Sequence, residues 1–326
     1  MKKTWTDFLK DILPSNWNWK DSDAFCFDDN NGRIVWQNSS SKSQCGVLTE
    51  EYESDSLKLK MVITKYPQEK TFMVKSFLTN TGFVDYPLNH IQLIDLNFDS
   101  ENGPIHFRTI DGGENLKHYP PEIFRINDYL CDGSSGIWRE SGWDGRSSEK
   151  TLPLLGMEVN GDSVIAGLEW SGLWWGATNG QDNDGTPAAG HLFIHIPVAG
   201  LAIKAGETFE FPAAHITFSN EGIAGAGNNC RHHIANNILP PLNGKRMDKP
   251  PVVYNHWFGL GPNINEEILM KQADKAAEIG AEYFVLDAGW YGDCDGDDFE
   301  RGVGNWEDID HSKFPNGLKP LADYVH

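Results

Sequence analysis

PVVYNHWFG (residues 251–259), NEEILMKQADKAAEIG (265–280) and AEYFVLDAGW (281–290) read in succession as strand, helix and strand. Val252-Val253-Tyr254 is a compact apolar run. Asn263 with Glu266 three residues on has the capping-box pattern that opens a helix. Leu269, Ala273, Ala276 and Ala277 then recur at helical spacing, and Gly280 suits the left-handed residue that stops the helix. Tyr283-Phe284-Val285-Leu286 is apolar throughout, as a parallel strand buried on both faces requires, and it ends on Asp287. After a polar loop, Leu318-Lys319-Pro320-Leu321-Ala322-Asp323-Tyr324-Val325 begins a second helix. These amount to two βα units, where about eight close a barrel.

Upstream the periodicity is that of strands. Leu57, Leu59, Met61 and Ile63 alternate with Lys58, Lys60, Val62 and Thr64, and TFMVKSFLT alternates again before the turn Asn80-Thr81-Gly82. Leu192, Ile194 and Ile196 share one face of another alternating run. Val164-Ile165-Ala166-Gly167-Leu168 reads as a short buried strand, and Glu207–Phe211 as a strand ended by Pro212. Many short strands without helical periodicity predict an antiparallel sandwich. The pattern changes after Gly222: Asn229–Leu239 reads as a connecting helix, followed by Pro240-Pro241-Leu242-Asn243-Gly244 and Pro250-Pro251 as a rigid linker. The expected organisation is therefore a sandwich domain at 1–228, a helix and Pro-rich linker at 229–250, and a βα domain at 251–326.

Composition narrows the partners. The chain carries 47 Asp and Glu against 27 Lys and Arg, a net charge of −20. Such a surface repels phosphate backbones and anionic lipid, which argues against nucleic-acid or membrane partners and suits a neutral substrate. No stretch approaches the roughly 18 apolar residues of a membrane span. Asp7, Lys10 and Asp11 interrupt any apolar leader core near the N-terminus, so a cytoplasmic location is expected. Five cysteines, Cys26, Cys45, Cys131, Cys230 and Cys294, form no CxxC pair and read as reduced structural thiols. Twelve Trp fit either a β-core or flat platforms for sugar rings.

In parallel βα folds ligands lie at the carboxyl ends of the strands. Two segments fall there: Asn255-His256-Trp257 after the first strand and Asp287-Ala288-Gly289-Trp290 after the second. A carboxylate placed so can accept hydroxyl hydrogen bonds while neighbouring indoles cover an apolar ring face. Asp287, Trp257, Trp290 and Asn255 are the candidate substrate-binding residues. Other patterns fail on their details. Asp293, Asp295 and Asp297 are spaced like a calcium loop, but its sixth position is Asp298 and its twelfth Gly304. Gly222, Gly225 and Gly227 lack the G-x-G-x-x-G order, and adjacent His232 and His233 lie on different faces of a helix. No metal site and no cofactor are expected.

The segments PVVYNHWFG, NEEILMKQADKAAEIGAEYFVLDAGWYGD, GVGNWE and FPNGLKPLADYVH together resemble the start of the catalytic barrel of glycoside hydrolase family 36, the melibiase-type α-galactosidases. GLEWSG (167–172), GETFEFPAA (206–214) and FSNEG (218–222) resemble that family's N-terminal β-supersandwich. The resemblance implies a multidomain fold: an antiparallel β-supersandwich followed by the first two βα units of an incomplete (β/α)8 TIM barrel. It implies an oligosaccharide or glycoside substrate, retaining hydrolysis of terminal α-galactosides, and a homo-oligomer as one form open to a full-length protein. Asp287 matches the first of two consecutive aspartates that hold galactose hydroxyls, and Trp257 the Trp after the first strand. Ala288 stands where the second aspartate is expected, which puts the sugar in doubt, and the family's GDW is Gly304-Asn305-Trp306. Two rival readings are raffinose-synthase-like galactosyl transfer and a non-catalytic carbohydrate-binding remnant.

Retaining hydrolysis needs a nucleophile and an acid/base about 5–5.5 Å apart. In the family these sit on later strands, so no catalytic residue is assigned within this chain. The pure chain is therefore expected not to turn over an aryl α-galactoside, and measurable release of the aryl group would overturn that expectation.

Overall fold

The computed structural model describes all residues except 1–2, 15–18, 21–25, 30–31, 35, 89, 99–103, 114–125, 132–136, 143–144, 182–186, 199, 242–243, 246–248 and 293–298. The acidic run 293–298, with Cys294, and part of the Pro-rich linker lie outside the described residues. The chain divides into two compact units, Met1–Leu239 and Pro240–His326.

Among the described residues the first unit holds a seven-stranded and a ten-stranded antiparallel sheet. Strands Leu57–Tyr66 and Thr71–Asn80 pair along their full length, from Leu57 opposite Asn80 to Tyr66 opposite Thr71. The pleat sends alternate side chains to opposite faces, so Leu57, Leu59, Met61 and Ile63 turn inward and are at most 4% exposed. Leu192, Ile194 and Ile196 do the same on strand Pro187–Pro197 of the other sheet. Leu192 and Ile194 from one sheet and Phe72, Leu155 and Phe218 from the other belong to a single core. The short helix Lys3–Leu9 is tied to this unit by a buried carboxylate: Glu50 accepts from Trp5 Nε1 at 2.6 Å and from the Tyr52 hydroxyl. Cys45 and Cys230 are free thiols. Among the described residues no helix is long and apolar enough to cross a membrane.

The helix expected at 229–239 begins earlier, at Gly222. It runs Gly222–His233 and continues as a π-helical turn, Ile234–Ile238. Three glycines near its start are poor helix formers, which hides the first turns from a propensity reading. Tertiary contacts supply what propensity does not. The Glu158 carboxylate accepts the Ile223 N–H at 2.7 Å, and the Ser219 hydroxyl accepts the Glu221 N–H at 3.0 Å. The helix belongs to the first unit. Its buried face carries Ala226, Cys230 and His233, while the adjacent His232 is exposed.

His233 meets His215, on strand Ala214–Ser219, with Nε2 to Nδ1 at 2.9 Å. His215 Nε2 lies 2.7 Å from Glu169, and Asn237 Nδ2 donates to His233 Nδ1 at 3.2 Å. These contacts fix both tautomers. The Asn237 amide nitrogen can only donate, so with that nitrogen on His233 Nδ1 the His233 proton sits on Nε2 and is given to His215, which carries its own on the side of Glu169. Both rings are thereby neutral. Burial pushes both pKa values down, that of His233 to about 4, against the pull of Glu169 on both rings and of Glu69 on His233.

In the second unit the helix Glu266–Glu278 is capped by Asn265, whose side chain accepts the Ile268 N–H at 2.9 Å. The cap is thus two residues after the expected Asn263, whose backbone closes a turn onto Leu260 instead. Gly280 has φ +80°, and Gly280 N–H to Ala277 O (3.0 Å) with Ala281 N–H to Ala276 O (2.9 Å) form a Schellman stop. Leu269 and Ala276 are buried, while Ala277 is exposed. Strands Val253–Asn255 and Tyr283–Val285 pair in parallel, Val253 with Tyr283, Tyr254 with Phe284 and Asn255 with Val285. Tyr254 and Phe284 stack at 5.5 Å on the helix side, where the Tyr254 hydroxyl donates to Gln272. Val253 and Tyr283, on the other face, are 52% and 45% exposed. The expectation of burial on both faces therefore fails within this unit, because its helices cover one side of a two-stranded sheet. A small core of Ile264, Leu269, Phe314 and Leu321 holds the unit together, with helix Lys319–Val325 contributing Leu321.

A histidine with a depressed folded pKa binds protons more readily in the unfolded chain, so stability is lost as pH falls from about 6.5 toward 4. Replacing His233 by Gln is expected to reduce the pH 7-to-5 fall in unfolding free energy by roughly 2 kcal/mol, the order expected from this shift. Denaturant titrations of both proteins at the two pH values check this, and identical pH slopes would rule out the neutral pair.

Candidate functional site

Parallel pairing places the carboxyl ends of the two short strands side by side. The Asn255 side chain bridges them: Nδ2 donates to Asp287 Oδ2 at 2.7 Å, and Oδ1 accepts the Trp257 N–H at 2.9 Å. Asn255 thus uses its donor across the sheet and its acceptor along its own chain, which fixes the amide orientation. The Asp287 side chain is exposed, its Oδ1 left to a further donor from solvent or ligand. Between them His256 is fully buried, and its Nε2 accepts the Asp287 N–H at 3.0 Å. Burial pushes the His256 pKa below the ordinary imidazole value, against the opposing pull of Asp287.

The two candidate indoles are used differently. Trp257 opens the short helical turn Trp257–Leu260 and meets Phe299 edge-on at 4.7 Å. It is partly exposed at the strand end. Trp290 packs partly buried against the small core, with Tyr291 at 5.5 Å and Trp306 at 6.2 Å. Trp306 itself is 56% exposed. The structure therefore joins Asn255 and Asp287 directly, sets Trp257 beside them through the backbone, and uses Trp290 largely in packing.

Two residues that the sequence did not single out complete the arrangement. His256 is one. Lys313 is the other: its ammonium donates to Gly289 O at 2.9 Å and to Pro262 O at 3.4 Å, pinning the loop after Asp287. Asp310 stands 3.7 Å from that ammonium. Burial raises the Asp310 carboxyl, but the Ser312 hydroxyl and N–H, with Lys313, hold it below the usual value. Neither residue had a local signal, since each acts on a segment more than twenty positions away. Gly289 has φ +91°, and a Cβ there would lie 2.9 Å from Pro262 Cα. Glycine is required on both grounds. Among the described residues no group of three or more His, Cys, Asp or Glu could hold a metal ion.

Residues 208–326 match the Melibiase family. Alpha-galactosidase 1 of Pediococcus pentosaceus is 36% identical over 251 residues, covering 74% of this chain and 32% of that protein. An α-galactosidase of Lactobacillus acidophilus is 34% identical over 125 residues, 38% of this chain and 16% of its own length. The family 36 α-galactosidase AgaB of Geobacillus stearothermophilus superposes with a TM-score of 0.69 at 18% identity, over 94% of this chain and 44% of its own. An AgaA variant from the same organism, crystallised with stachyose, superposes with a TM-score of 0.67 at 18% identity, over 94% and 44%. The fold is thus shared with those enzymes, while the chain spans about a third of the Pediococcus relative.

Gly289→Ala is expected to destabilise the second unit by about 1–3 kcal/mol, from backbone strain and the clash with Pro262. Faster amide exchange at Tyr283–Val285 would report it, and unchanged exchange would show that the loop relaxes without cost.

Proposed function

The chain belongs to glycoside hydrolase family 36, the melibiase-type α-galactosidases, and from that premise we propose that it forms the galactose-facing front of a retaining α-galactosidase. In this reading its second unit is the start of a (β/α)8 barrel, and its first a β-supersandwich. The observation that carries the proposal is the Asn255–Asp287 bridge at 2.7 Å on the carboxyl ends of two parallel strands. With one oxygen held by Asn255, the carboxylate is oriented and keeps lone pairs for two sugar hydroxyls. Hydrogen bonds to a charged acceptor are about twice as strong as neutral ones. Trp257, partly exposed beside it, offers an apolar face to the pyranose ring.

The chemistry itself falls to two further carboxylates. Retention requires a nucleophile and an acid/base about 5–5.5 Å apart, and this reading places them on barrel strands beyond the two present. What these residues contribute is position: a sugar held by Asp287 presents its anomeric carbon in a fixed orientation, and such pre-orientation lowers the barrier by removing the entropy of alignment. Ala288 leaves the hydroxyl grip to a single carboxylate, which favours a less stringent demand on the sugar than a paired aspartate imposes.

Saturation-transfer NMR with methyl α-galactoside tests this on the chain as it stands. Binding is expected, with Asp287→Ala weakening it by ~10-fold or more, the order given by about 1.5–3 kcal/mol for a hydrogen bond to a charged group. Equal binding by the variant would remove Asp287 from the site, and no transfer to the parent chain would remove the site itself.

A further inference from the structure

We infer that His256 is a positioning residue for Asp287, acting through a neutral imidazole whose Nε2 clamps the Asp287 amide at the sugar-facing end of the sheet. The inference rests on Asp287 as the sugar anchor, and concerns what holds that anchor in place.

The two strands are only three residues long each, Val253–Asn255 and Tyr283–Val285. A ladder so short frays at its ends, and Asp287 lies two residues past its last pair. Three bonds carry the pairing beyond that point. The His256 N–H donates to Val285 O at 3.4 Å, His256 Nε2 accepts the Asp287 N–H at 3.0 Å, and Asn255 reaches Asp287 Oδ2 at 2.7 Å. The imidazole contact is the one among them that fixes the Asp287 backbone. Asn255 alone would hold a carboxylate whose main chain was free to turn.

The direction of the bond sets the protonation state. A backbone N–H can only donate, so Nε2 presents a lone pair and the ring proton sits on Nδ1. Nδ1 is itself buried and has no hydrogen-bond partner among the described residues. A fully buried ring with one nitrogen unsatisfied is a costly arrangement, and the contact to Asp287 is the interaction that the arrangement secures. Protonation would put two donors face to face at the Asp287 amide and open the clamp. Asp287 is the ionised group whose charge acts on this ring among the described residues, and it draws a proton toward the ring, while burial acts the other way and prevails. The clamp is therefore closed at neutral pH and weakens on acidification, and the carboxylate loses its backbone anchor with it.

Gln at this position can place Oε1 near the site of Nε2 and accept the same N–H without titrating; Phe fills the volume but accepts nothing. In histidine-labelled chain at pH 7, nitrogen–carbon NMR is expected to show His256 as the Nδ1–H tautomer, and an Nε2–H tautomer would overturn the inference. Methyl α-galactoside affinity of the parent chain is expected to fall on acidification below the ordinary imidazole pKa, once His256 takes up a proton. His256→Gln is expected to bind within about threefold of the parent at pH 7 and to lose the part of that fall contributed by His256. His256→Phe is expected to bind roughly tenfold more weakly while the amides of helix Glu266–Glu278 keep their protection. Identical pH profiles for the parent chain and His256→Gln, followed down to the pH at which the same NMR shows His256 protonated, would overturn the clamp even if Phe unfolds the unit. Unchanged binding in Asp287→Ala would instead overturn the sugar-anchor reading, and the tautomer measurement would still decide the geometry of His256.

Discussion

The parallel pairing of Val253–Asn255 with Tyr283–Val285 is the constraint on which the candidate site depends. Parallel strands bring like ends together, so residues about thirty positions apart in sequence emerge at the same edge. Asn255, His256 and Asp287 meet there because each lies at or just beyond a carboxyl end. An antiparallel pairing of the same strands would have put Asn255 beside Tyr283 and left Asp287 at the opposite edge. The intervening helix Glu266–Glu278 makes the parallel return possible, and its precise ends, Asn265 at the start and Gly280 at the stop, set the length of the crossover.

Neutral histidine recurs in both units, for the same reason. In the first, His215 and His233 share a proton-donating chain that ends on Glu169. In the second, His256 accepts a backbone N–H between two strand ends. Burial disfavours the charged ring in each case, and an uncharged ring keeps a lone pair with which to accept, while His215 and His233 each donate as well. An ammonium has no lone pair to accept with, a carboxylate has no hydrogen to donate, and an apolar residue can do neither. Such rings join separate elements: strand Ala214–Ser219 to the end of helix Gly222–His233, and the end of the first strand of the second unit to the end of the second.

The sandwich was legible because its signal is local. Period-2 alternation at Leu57–Ile63 and Leu192–Ile196 already specifies which face is buried, and the pleat has no other way to place those side chains. The helix at Gly222 was not legible over its first turns. Glycines there oppose helix formation locally, and Glu158, sixty-five residues upstream, supplies the N-terminal acceptor. The cap at Asn265 was missed for a smaller reason: Asn263 and Asn265 both fit the pattern of a capping residue, and only the backbone angles decide between them. The apolar run Tyr283–Leu286 promised burial on both faces, but how much of a strand is covered depends on neighbours and not on its own composition.

By itself the sequence determined the strand–helix–strand order, the presence of Asp287 and Asn255 at strand ends, and the likeness to a sugar-cleaving family. These follow from periodicity and from residue types at fixed offsets along one segment. The tertiary structure alone decided that Asn255 grips Asp287, that His256 is buried and neutral between them, that Lys313 pins the following loop, and that Trp290 packs against the small core. Each of those is a contact between segments, and hydrogen-bond direction and burial are properties of the pair of groups that meet, not of either residue read along the chain.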